Sequence, residues 1–222
     1  AKGQKNLMQH EARHYPAFPT LVSSFDLKDH SCEKTVIDMI ETWERTGDHV
    51  LVHEGQSSYI TGDEMFLNDK RLVDLWKTIQ ECCDQYSNES GIDYTLISTS
   101  WFNTLYEKGS VTAHRHERSV ISGAYYPKVD PNSSPLVFES PLQPYQMNMN
   151  NIRQTNYNAY NLDFMPQDGL LVLFPSWLRH SVPSNPTEKR YTISFNTIRR
   201  DDREHFQTLR DYRTDPHEST DT

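Results

Sequence analysis

Residues 94–116 read YTLISTSWFNTLYEKGSVTAHRH, and at this stretch the chain changes from helical to β-type patterns. From here on, runs rich in β-branched and aromatic residues alternate with turn residues. We expect strands near residues 95–106, 110–114, 119–127, 135–139, 169–175 and 189–198. Short strands separated by turns are typical of all-β sandwiches and barrels, whereas parallel α/β sheets alternate strands with helices. The sequence therefore predicts a mainly β fold.

The residues before this stretch predict two helices and an edge strand. Apolar side chains recur at helical spacing near residues 32–46 and again near 69–87. Asp29 or Ser31 is a suitable N-cap for the first helix. Prolines interrupt the run at 15–25, which favours a strand at the edge of a sheet. We expect both helices to pack outside the sheet.

The length of 222 residues predicts a single domain with elaborations. We divide it into a helical support region with edge strands (1–92), a β core that carries the chemistry (93–198) and a charged tail (199–222). A short helix near 201–212 is compatible with the sequence of the tail. The stretch 141–162 is rich in Asn, Gln and Tyr, and is either a surface excursion or a lid over a site.

Composition disfavours several functions. The net charge of −9 lacks the basic footprint of a protein that binds duplex nucleic acid. The three cysteines, Cys32, Cys82 and Cys83, contain no CxxC pair, so neither a disulfide framework nor a zinc knuckle is predicted. No apolar run reaches the roughly 18 residues needed to span a bilayer, and the first residues lack the apolar segment of a signal peptide. We therefore expect a cytoplasmic protein that does not bind membranes.

Three histidines have the spacing expected of a metal site. His114 and His116 lie two residues apart, and on a strand such side chains face the same side about 6.6 Å apart. His180 follows the apolar run at 170–174 and a short turn, which places it at the end of a strand. Neutral imidazole binds iron, zinc, copper and nickel. Taken alone, neither the His-x-His pair nor His180 identifies a metal site; together they predict one ion bound by three side chains.

Arg190 is a candidate anion-binding group. A short connection rich in proline precedes it, so its strand can pair antiparallel with the apolar strand before it. Alternation along that strand places Arg190, Thr192, Ser194 and Asn196 on one face. This polar face either meets water or points into the barrel, where the guanidinium can bind a carboxylate through two hydrogen bonds. Thr192 would then add a hydroxyl donor to the same carboxylate.

The order His-x-His, His and Arg-x-Thr resembles the iron(II)/2-oxoglutarate-dependent dioxygenase superfamily. Asn103 lies eleven residues before His114, which is similar to the alkylation-repair members of that superfamily. The segments 122–126 (Ser-Gly-Ala-Tyr-Tyr) and 174–180 (Phe-Pro-Ser-Trp-Leu-Arg-His) look like those of a little-characterised subgroup of 2-oxoglutarate oxygenases. The close match covers about residues 100–200, and the helical N-terminal part resembles nothing specific.

The resemblance implies a fold, a set of cofactors and a reaction. The fold is a double-stranded β-helix, a cupin-like jelly roll that opens to the metal at one end, with flanking N-terminal helices. The cofactors are iron(II), 2-oxoglutarate and O2. The reaction couples decarboxylation of 2-oxoglutarate to succinate with C–H oxidation, and hydroxylation of a small-molecule or peptide substrate is the expected outcome.

The resemblance also implies roles for single residues. His114, His180 and the residue two positions after His114 would bind iron(II). Arg190 would bind the distal carboxylate of 2-oxoglutarate with the help of Thr192. Candidates for further contacts with the cosubstrate are Asn103 and either Tyr126 or Tyr125.

One position departs from the pattern of the superfamily. Where the family has Asp or Glu two residues after the first histidine, this chain has His116. Either the site has three histidines, or Glu117 or another carboxylate replaces the missing ligand. On a regular strand Glu117 faces away from His114 and His116, so alternation favours His116 unless a bulge intervenes. A three-histidine site carries one more positive charge than the usual site.

Two other functions are compatible with these residues. A cupin-type metal dioxygenase or isomerase can use three histidines without 2-oxoglutarate. A jelly-roll binding protein could carry the same histidines without catalysis, binding nothing or only zinc. Dependence on 2-oxoglutarate separates the first from the proposed oxygenase, and metal-free folding would favour the second. The sequence is also compatible with a homodimer.

Overall fold

A 20-residue strand, β3 (Thr95–His114), is the centre of the structure, a computed structural model that describes residues 18–28, 32–44, 46–60, 65–142, 153–155 and 157–202. The other strands in these ranges are β1 (Ser23–Asp26), β2 (Val52–Ser57), β4 (Ile121–Tyr126), β5 (Leu136–Glu139), β6 (Asn161–Phe164), β7 (Leu170–Pro175), β8 (His180–Val182) and β9 (Lys189–Arg199). The helices are α1 (Glu33–Glu41) and α2 (Val73–Ser90), and short 3-10 turns lie at Phe66–Asn68, Lys70–Leu72 and Arg200–Asp202.

The strands form one curled antiparallel sheet in the order β1-β7-β4-β9-β3-β8-β5-β6, with β2 paired to β3 outside this order. Residues 95–106 of β3 pair with β9, whereas Val111 and His114 pair with β8. We call β1, β7, β4, β9 and the first part of β3 the large arm, and the last part of β3 with β8, β5 and β6 the small arm. This mainly β, curled sheet with flanking helices confirms the predicted jelly-roll fold.

Apolar side chains fill two layers, one between the arms and one between the large arm and the helices. Strand β4 contributes to both layers because successive side chains point to opposite faces of a sheet. Ala124 and Tyr126 pack between the arms, together with Leu105, Leu136, Phe138, Val172, Phe174, Leu178 and Val182. Ile121 and Tyr125 pack on the helix side, together with Val36, Met39, Ile40, Leu75, Trp76, Ile79, Ile193 and Phe195. Both helices therefore cover the outer face of the sheet, as expected.

The strands differ from the sequence-based expectations in two ways. The predicted strands at 95–106 and 110–114 are one strand, in which Lys108 has a positive φ of 67°. The sequence predicts no strand at β2, β6 or β8. Strand β2 contains a register irregularity next to Glu54, which has φ 46°; β6 is largely exposed, and β8 has three residues. Such short or irregular strands lack a clear two-residue alternation.

The N-terminal elements are close to the prediction but have different ends. Helix α1 ends at Glu41, before the predicted end at 46, and its N-cap is Cys32. Asp29 and Ser31 lie outside the described residues. Helix α2 starts later than residue 69 because Asp69 caps a 3-10 turn through its side chain, which accepts a hydrogen bond from the Arg71 backbone N–H. Strand β1 lies at the sheet edge, as expected, where it pairs with β7.

Two predicted features lie mostly outside the described residues. Of the stretch 141–162, residues 143–152 and 156 are not described, and β6 begins at its end. Of the segment 201–212, only residues 201 and 202 are described, and both belong to the 3-10 turn Arg200–Asp202. In the part of the chain that is described, neither helix has the length and apolar character required to cross a membrane.

Gly123 allows a close contact between β4 and β9. It pairs with Phe195, and a Cβ atom at Gly123 would lie 2.1 to 2.8 Å from three atoms of the Phe195 ring. Because that ring is only 1% exposed, it has little room to move. We expect Gly123→Ala to lower the free energy of unfolding by ~1–3 kcal/mol, measured by urea denaturation. The additional change Phe195→Leu should recover part of the loss, and equal stability of Gly123→Ala and the wild type would contradict the assigned clash.

Candidate metal centre

The three predicted histidines lie next to one another. His114 is the last residue of β3, and it pairs with His180, the first residue of β8. His116 lies two residues after His114, just beyond the end of β3. The distance between ring centroids is 4.3 Å for His114 and His180, 4.9 Å for His114 and His116, and 5.1 Å for His116 and His180. The potential ligand nitrogens all lie within 4.8 Å of one another. The three rings are therefore placed to bind one ion.

The described residues place no carboxylate in this cluster. Within those ranges, the group of potential metal ligands consists of His114, His116 and His180. Glu117, the alternative considered from the sequence, is exposed at the mouth of the adjoining cavity. The backbone N–H of His116 donates to the carbonyl of Ser176 over 3.0 Å, which fixes the segment after β3. The cluster thus includes His116, whereas the side chain of Glu117 lies outside it.

Burial keeps the three imidazoles neutral. Desolvation lowers the pKa of His116 to about 2, with smaller contributions from the neighbouring His180 and His114 rings. Desolvation also lowers the pKa of His180 to about 3, and it lowers the pKa of His114 below its usual value. Near neutral pH all three rings are therefore deprotonated, which is the form that binds metal ions.

Backbone carbonyls determine which nitrogen of two rings is free. The Nδ1–H of His114 donates to the Thr112 carbonyl over 2.8 Å, and the Nδ1–H of His180 donates to the Leu178 carbonyl over 2.9 Å. Because a carbonyl oxygen can only accept, Nδ1 carries the hydrogen in both neutral rings. Their Nε2 atoms are left with a lone pair for a metal, an arrangement common in metal-binding histidines.

His116 has a side-chain partner in place of a carbonyl. Its Nδ1 lies 3.4 Å from the amide nitrogen of Asn196. The amide oxygen of Asn196 lies 2.7 Å from the hydroxyl of Ser122, which lies 2.8 Å from the hydroxyl of Ser176. Asn196, Ser122 and Ser176 are all buried. The sequence placed Asn196 on the same face as Arg190 but did not indicate this contact.

Arg190 is buried in the same cavity and points inward. It is 2% exposed, and its guanidinium donates to the Ser134 carbonyl over 3.1 Å, to Thr192 Oγ1 over 2.7 Å and to the Tyr126 hydroxyl over 3.3 Å. Its Cζ also lies 5.1 Å from the centre of the Tyr126 ring. Among the described residues, no carboxylate forms an ion pair with it. Its positive charge therefore has no counter-charge in that part of the protein.

The other predicted cosubstrate contacts surround Arg190. Thr192 and Tyr126 accept hydrogen bonds from the guanidinium, so each hydroxyl still has a hydrogen to donate. Asn103 pairs with Thr192 across β3 and β9, and its buried Oδ1 has no hydrogen-bond partner in the described structure. Tyr125, the alternative to Tyr126, instead packs in the outer layer against the helices.

A cavity of about 350 Å³ joins the histidines to Arg190. Its outer wall contains an aromatic row that sequence reasoning missed. The distance between ring centroids is 5.0 Å for Trp101 and Tyr59, 5.8 Å for Trp101 and His116, and 5.2 Å for Tyr59 and His49. Trp101 shares a face of β3 with Asn103, so alternation could have found it. Nothing local in the sequence placed His49 or Tyr59 here.

A shallower depression borders the mouth of the cavity, and we call it the arginine rim. Its lining residues are Arg115, His116, Glu117, Arg118, Ser119, Trp177 and Arg179. Trp177 is 52% exposed although the residues on both sides of it, Ser176 and Leu178, are buried. Arg179 donates to the Glu139 carboxylate over 2.9 Å. The rim shares Arg115, His116 and Glu117 with the cavity.

A family model and several solved structures resemble this chain. The family model described as "Putative 2OG-Fe(II) oxygenase" matches residues 99–196, which include the three histidines, Arg190 and Asn196. No curated protein matches the chain.

Solved structures with a similar fold come from several organisms. A prolyl-4-hydroxylase of Pseudomonas putida is 12% identical with a TM-score of 0.59, over 82% of this chain and 94% of that one. HygX of Streptomyces hygroscopicus, solved with nickel and 2-oxoglutarate, is 9% identical with a TM-score of 0.56, over 82% and 84%. A prolyl hydroxylase of Trichoplax adhaerens, in complex with a hypoxia inducible factor peptide, is 13% identical with a TM-score of 0.54, over 83% and 86%. At these identities the likeness shows the fold.

Proposed function

We propose that this chain is an iron(II)- and 2-oxoglutarate-dependent dioxygenase that hydroxylates a small-molecule or peptide substrate, with residues 93–198 as its catalytic part. One observation carries the proposal. The buried Arg190 has no carboxylate partner among the described residues, and it lines the same cavity as three neutral histidines. A cation-binding cluster and an anion-binding group in one cavity fit a cosubstrate that bridges them.

Arg190 and its neighbours fit the distal carboxylate of 2-oxoglutarate. A buried charge without a partner is costly, and a carboxylate ligand removes that cost by supplying the counter-charge. The guanidinium is held by Ser134, Thr192 and Tyr126, and the two hydroxyls retain a hydrogen for the ligand. Asn103, with its unpaired Oδ1, offers a further polar contact. These residues would bind and orient the cosubstrate.

His114, His116 and His180 fit iron(II) as three neutral nitrogen ligands. When bound with 2-oxoglutarate and O2, the metal supplies the oxidation of a substrate C–H bond, coupled to formation of succinate and CO2. The Nδ1 contacts of His114 and His180 orient their rings. The aromatic row of Trp101, Tyr59 and His49 would form one wall of the substrate site, because it begins at His116 and all three residues line the cavity.

The similar structures support this proposal at the level of the fold. HygX has been solved with 2-oxoglutarate, and the Trichoplax enzyme has been solved with a peptide. The same fold thus accommodates the cosubstrate in one protein and a peptide in another.

The test is anaerobic reconstitution with iron(II), followed by measurement of succinate released from 2-oxoglutarate on addition of O2 and a substrate panel. We expect succinate formation that requires iron, and His180→Ala as the matched control should lose it. A protein that binds iron without binding 2-oxoglutarate would instead match the cupin-type alternative. A protein that folds and binds no iron would match the non-catalytic alternative.

A further inference from the structure

The orientation of the Asn196 amide decides whether His116 can bind a metal. A neutral imidazole has one hydrogen, on Nδ1 or on Nε2. If the NH2 group of Asn196 donates to Nδ1 of His116, the hydrogen of the ring must lie on Nε2. Neither nitrogen of His116 would then be free for a metal. His114 and His180, by contrast, have Nδ1–H and a free Nε2.

Rotation of the amide by 180° resolves this conflict without loss of a hydrogen bond. The oxygen and nitrogen of the Asn196 amide exchange places, and no other heavy atom moves. Nδ1–H of His116 then donates to the amide oxygen over the distance of 3.4 Å, and the NH2 group donates to Ser122 over 2.7 Å. The Ser122 hydroxyl then accepts from the Asn196 amide and donates its own hydrogen to the Ser176 hydroxyl over 2.8 Å. Each of these four side chains therefore keeps its hydrogen-bond partner.

We propose that Asn196 is a positioning residue that accepts the Nδ1 hydrogen of His116, and that Ser122 and Ser176 hold its amide in this orientation. The side chain thus does for His116 what a backbone carbonyl does for the other two histidines. This role matters only if His116 binds a metal, so the inference rests on the proposed metal site. Its direct readout is the position of a hydrogen in the metal-free protein, so it can fail independently of the proposed activity.

Long-range ¹H–¹⁵N NMR of the metal-free protein reports which nitrogen of each histidine carries the hydrogen. We expect Nδ1–H on His114, His116 and His180 in the wild type. Asn196→Ala should change the state of His116 alone and weaken Ni(II) binding by about 10-fold, within the ~10–100-fold typical for loss of such an outer partner. Ser194→Ala removes a polar group on the same face of β9 and should change neither readout.

Asn196→Asp separates the two orientations, because a carboxylate accepts hydrogen bonds and cannot donate them. If Asn196 accepts from His116, this variant keeps Nδ1–H on His116 and retains Ni(II) affinity close to that of the wild type. Hydrogen on Nε2 of His116 in the wild type would overturn the proposal. So would an Asn196→Asp variant that binds Ni(II) as weakly as Asn196→Ala.

The arginine rim carries a second inference, from a different set of residues. Two backbone hydrogen bonds of 3.0 Å, from His116 N–H to the Ser176 carbonyl and from Ser176 N–H to the Val120 carbonyl, fix its two segments side by side. Arg118 has φ 61°, a backbone conformation that residues other than glycine rarely adopt. Neither Arg115 nor Arg118 forms an ion pair among the described residues. Within the described ranges, the rim thus combines two arginines that lack an ion-pair partner with an exposed tryptophan, in a chain of net charge −9.

We infer that the rim binds an anionic group of the substrate, a phosphate or a carboxylate, attached to a planar or apolar part that lies on Trp177. This deepens the proposed function by naming a substrate class, and it rests on that function only through the shared cavity mouth. Exposed arginines bind both anions through paired N–H groups. Glu117 lies in the same depression and opposes anion binding, so the two free arginines must outweigh one carboxylate.

The test is an NMR titration of the ¹⁵N-labelled metal-free protein, in which the indole signal of Trp177 is assigned by its loss in Trp177→Phe. Phenyl phosphate and benzoate should shift this signal in a saturable way, and phenol should bind at least about 10-fold more weakly. Comparison of the two anions shows whether phosphate or carboxylate is preferred. Equal binding of phenol and both anions would overturn the inference.

Variants of matched charge complete this test. Arg115→Gln with Arg118→Gln should weaken phenyl phosphate binding by about 10-fold, whereas Glu117→Gln should strengthen it. Lys28→Gln with Lys128→Gln also removes two positive charges, but near Leu170, at the opposite end of β7 from Ser176, and should leave the affinity unchanged. An unchanged affinity in the double variant would contradict the assignment. Because no iron or 2-oxoglutarate is present, this result is independent of the oxygenase activity.

Discussion

Arg190→Met is expected to weaken 2-oxoglutarate binding by about 100-fold or more while iron or nickel remains bound. Truncation of one partner of a buried, hydrogen-bonded charge pair costs ~2–5 kcal/mol, and Arg190 is the buried cation that would form this pair with the distal carboxylate. Metal binding should persist because the histidines form no hydrogen bond with Arg190 in the described structure. Calorimetric titration of the Ni(II)-loaded protein, which does not turn over, measures the change.

The control for this prediction is Arg71→Met, which removes the same charge from an exposed position paired with Asp69, outside the cavity and the rim. It should leave 2-oxoglutarate affinity unchanged. The thermal stability of Arg190→Met without cosubstrate should equal or exceed that of the wild type, because the change removes a buried charge that lacks a counter-charge. Unaltered affinity for 2-oxoglutarate in Arg190→Met would refute the anchor assignment. A large loss of stability would assign Arg190 a structural role instead.

The second large effect is expected from a pair of neighbouring variants, His116→Ala and Glu117→Ala. His116→Ala should reduce iron(II) affinity by more than the ~10–100-fold that loss of an outer partner costs, because it removes one of three ligands. Glu117→Ala should leave the affinity nearly unchanged, because the Glu117 side chain is exposed and lies outside the cluster of potential ligands. Anaerobic titration with iron(II), or with Co(II) as a spectroscopic substitute, measures both.

His116→Asp is the informative companion of these variants. It introduces the carboxylate that the oxygenase superfamily resembled by this sequence has at this position. We therefore expect iron(II) binding to be retained. The reverse pattern, in which Glu117→Ala loses iron and His116→Ala keeps it, would show that the segment after β3 rearranges to bring the carboxylate to the metal. The proposal of a three-histidine site would then be wrong, whereas the oxygenase assignment would stand.

The parts of the site that could be predicted follow from alternation along single strands. Because side chains two apart share a face of a strand, the sequence placed Thr192, Ser194 and Asn196 together with Arg190. All four line the cavity. The same rule placed Glu117 away from His116, and the described structure shows Glu117 exposed at the mouth.

The parts that could not be predicted depend on pairing between distant strands. His114 meets His180 because β3 pairs with β8, and a strand of three residues has too few positions to show a pattern. The choice between Tyr125 and Tyr126 depends on the register of β4 against β9, in which Ser122 faces Asn196. Given that register, Tyr126 faces the cavity and Tyr125 faces the helices. No local pattern in the sequence specifies such a register.

The pairing of β3 with β8 also sets the order of events in a newly made chain. His114 and His116 leave the ribosome well before His180, and Arg190 follows only with β9, the last strand of the described residues. Until the sheet has closed, an ion can meet the His-x-His pair but not the third ring, since these contacts are non-local and form late in folding. In small zinc modules the ion drives folding. Here His180 reaches the other two rings only through the pairing of β3 with β8, so we expect metal uptake to follow closure of the sheet.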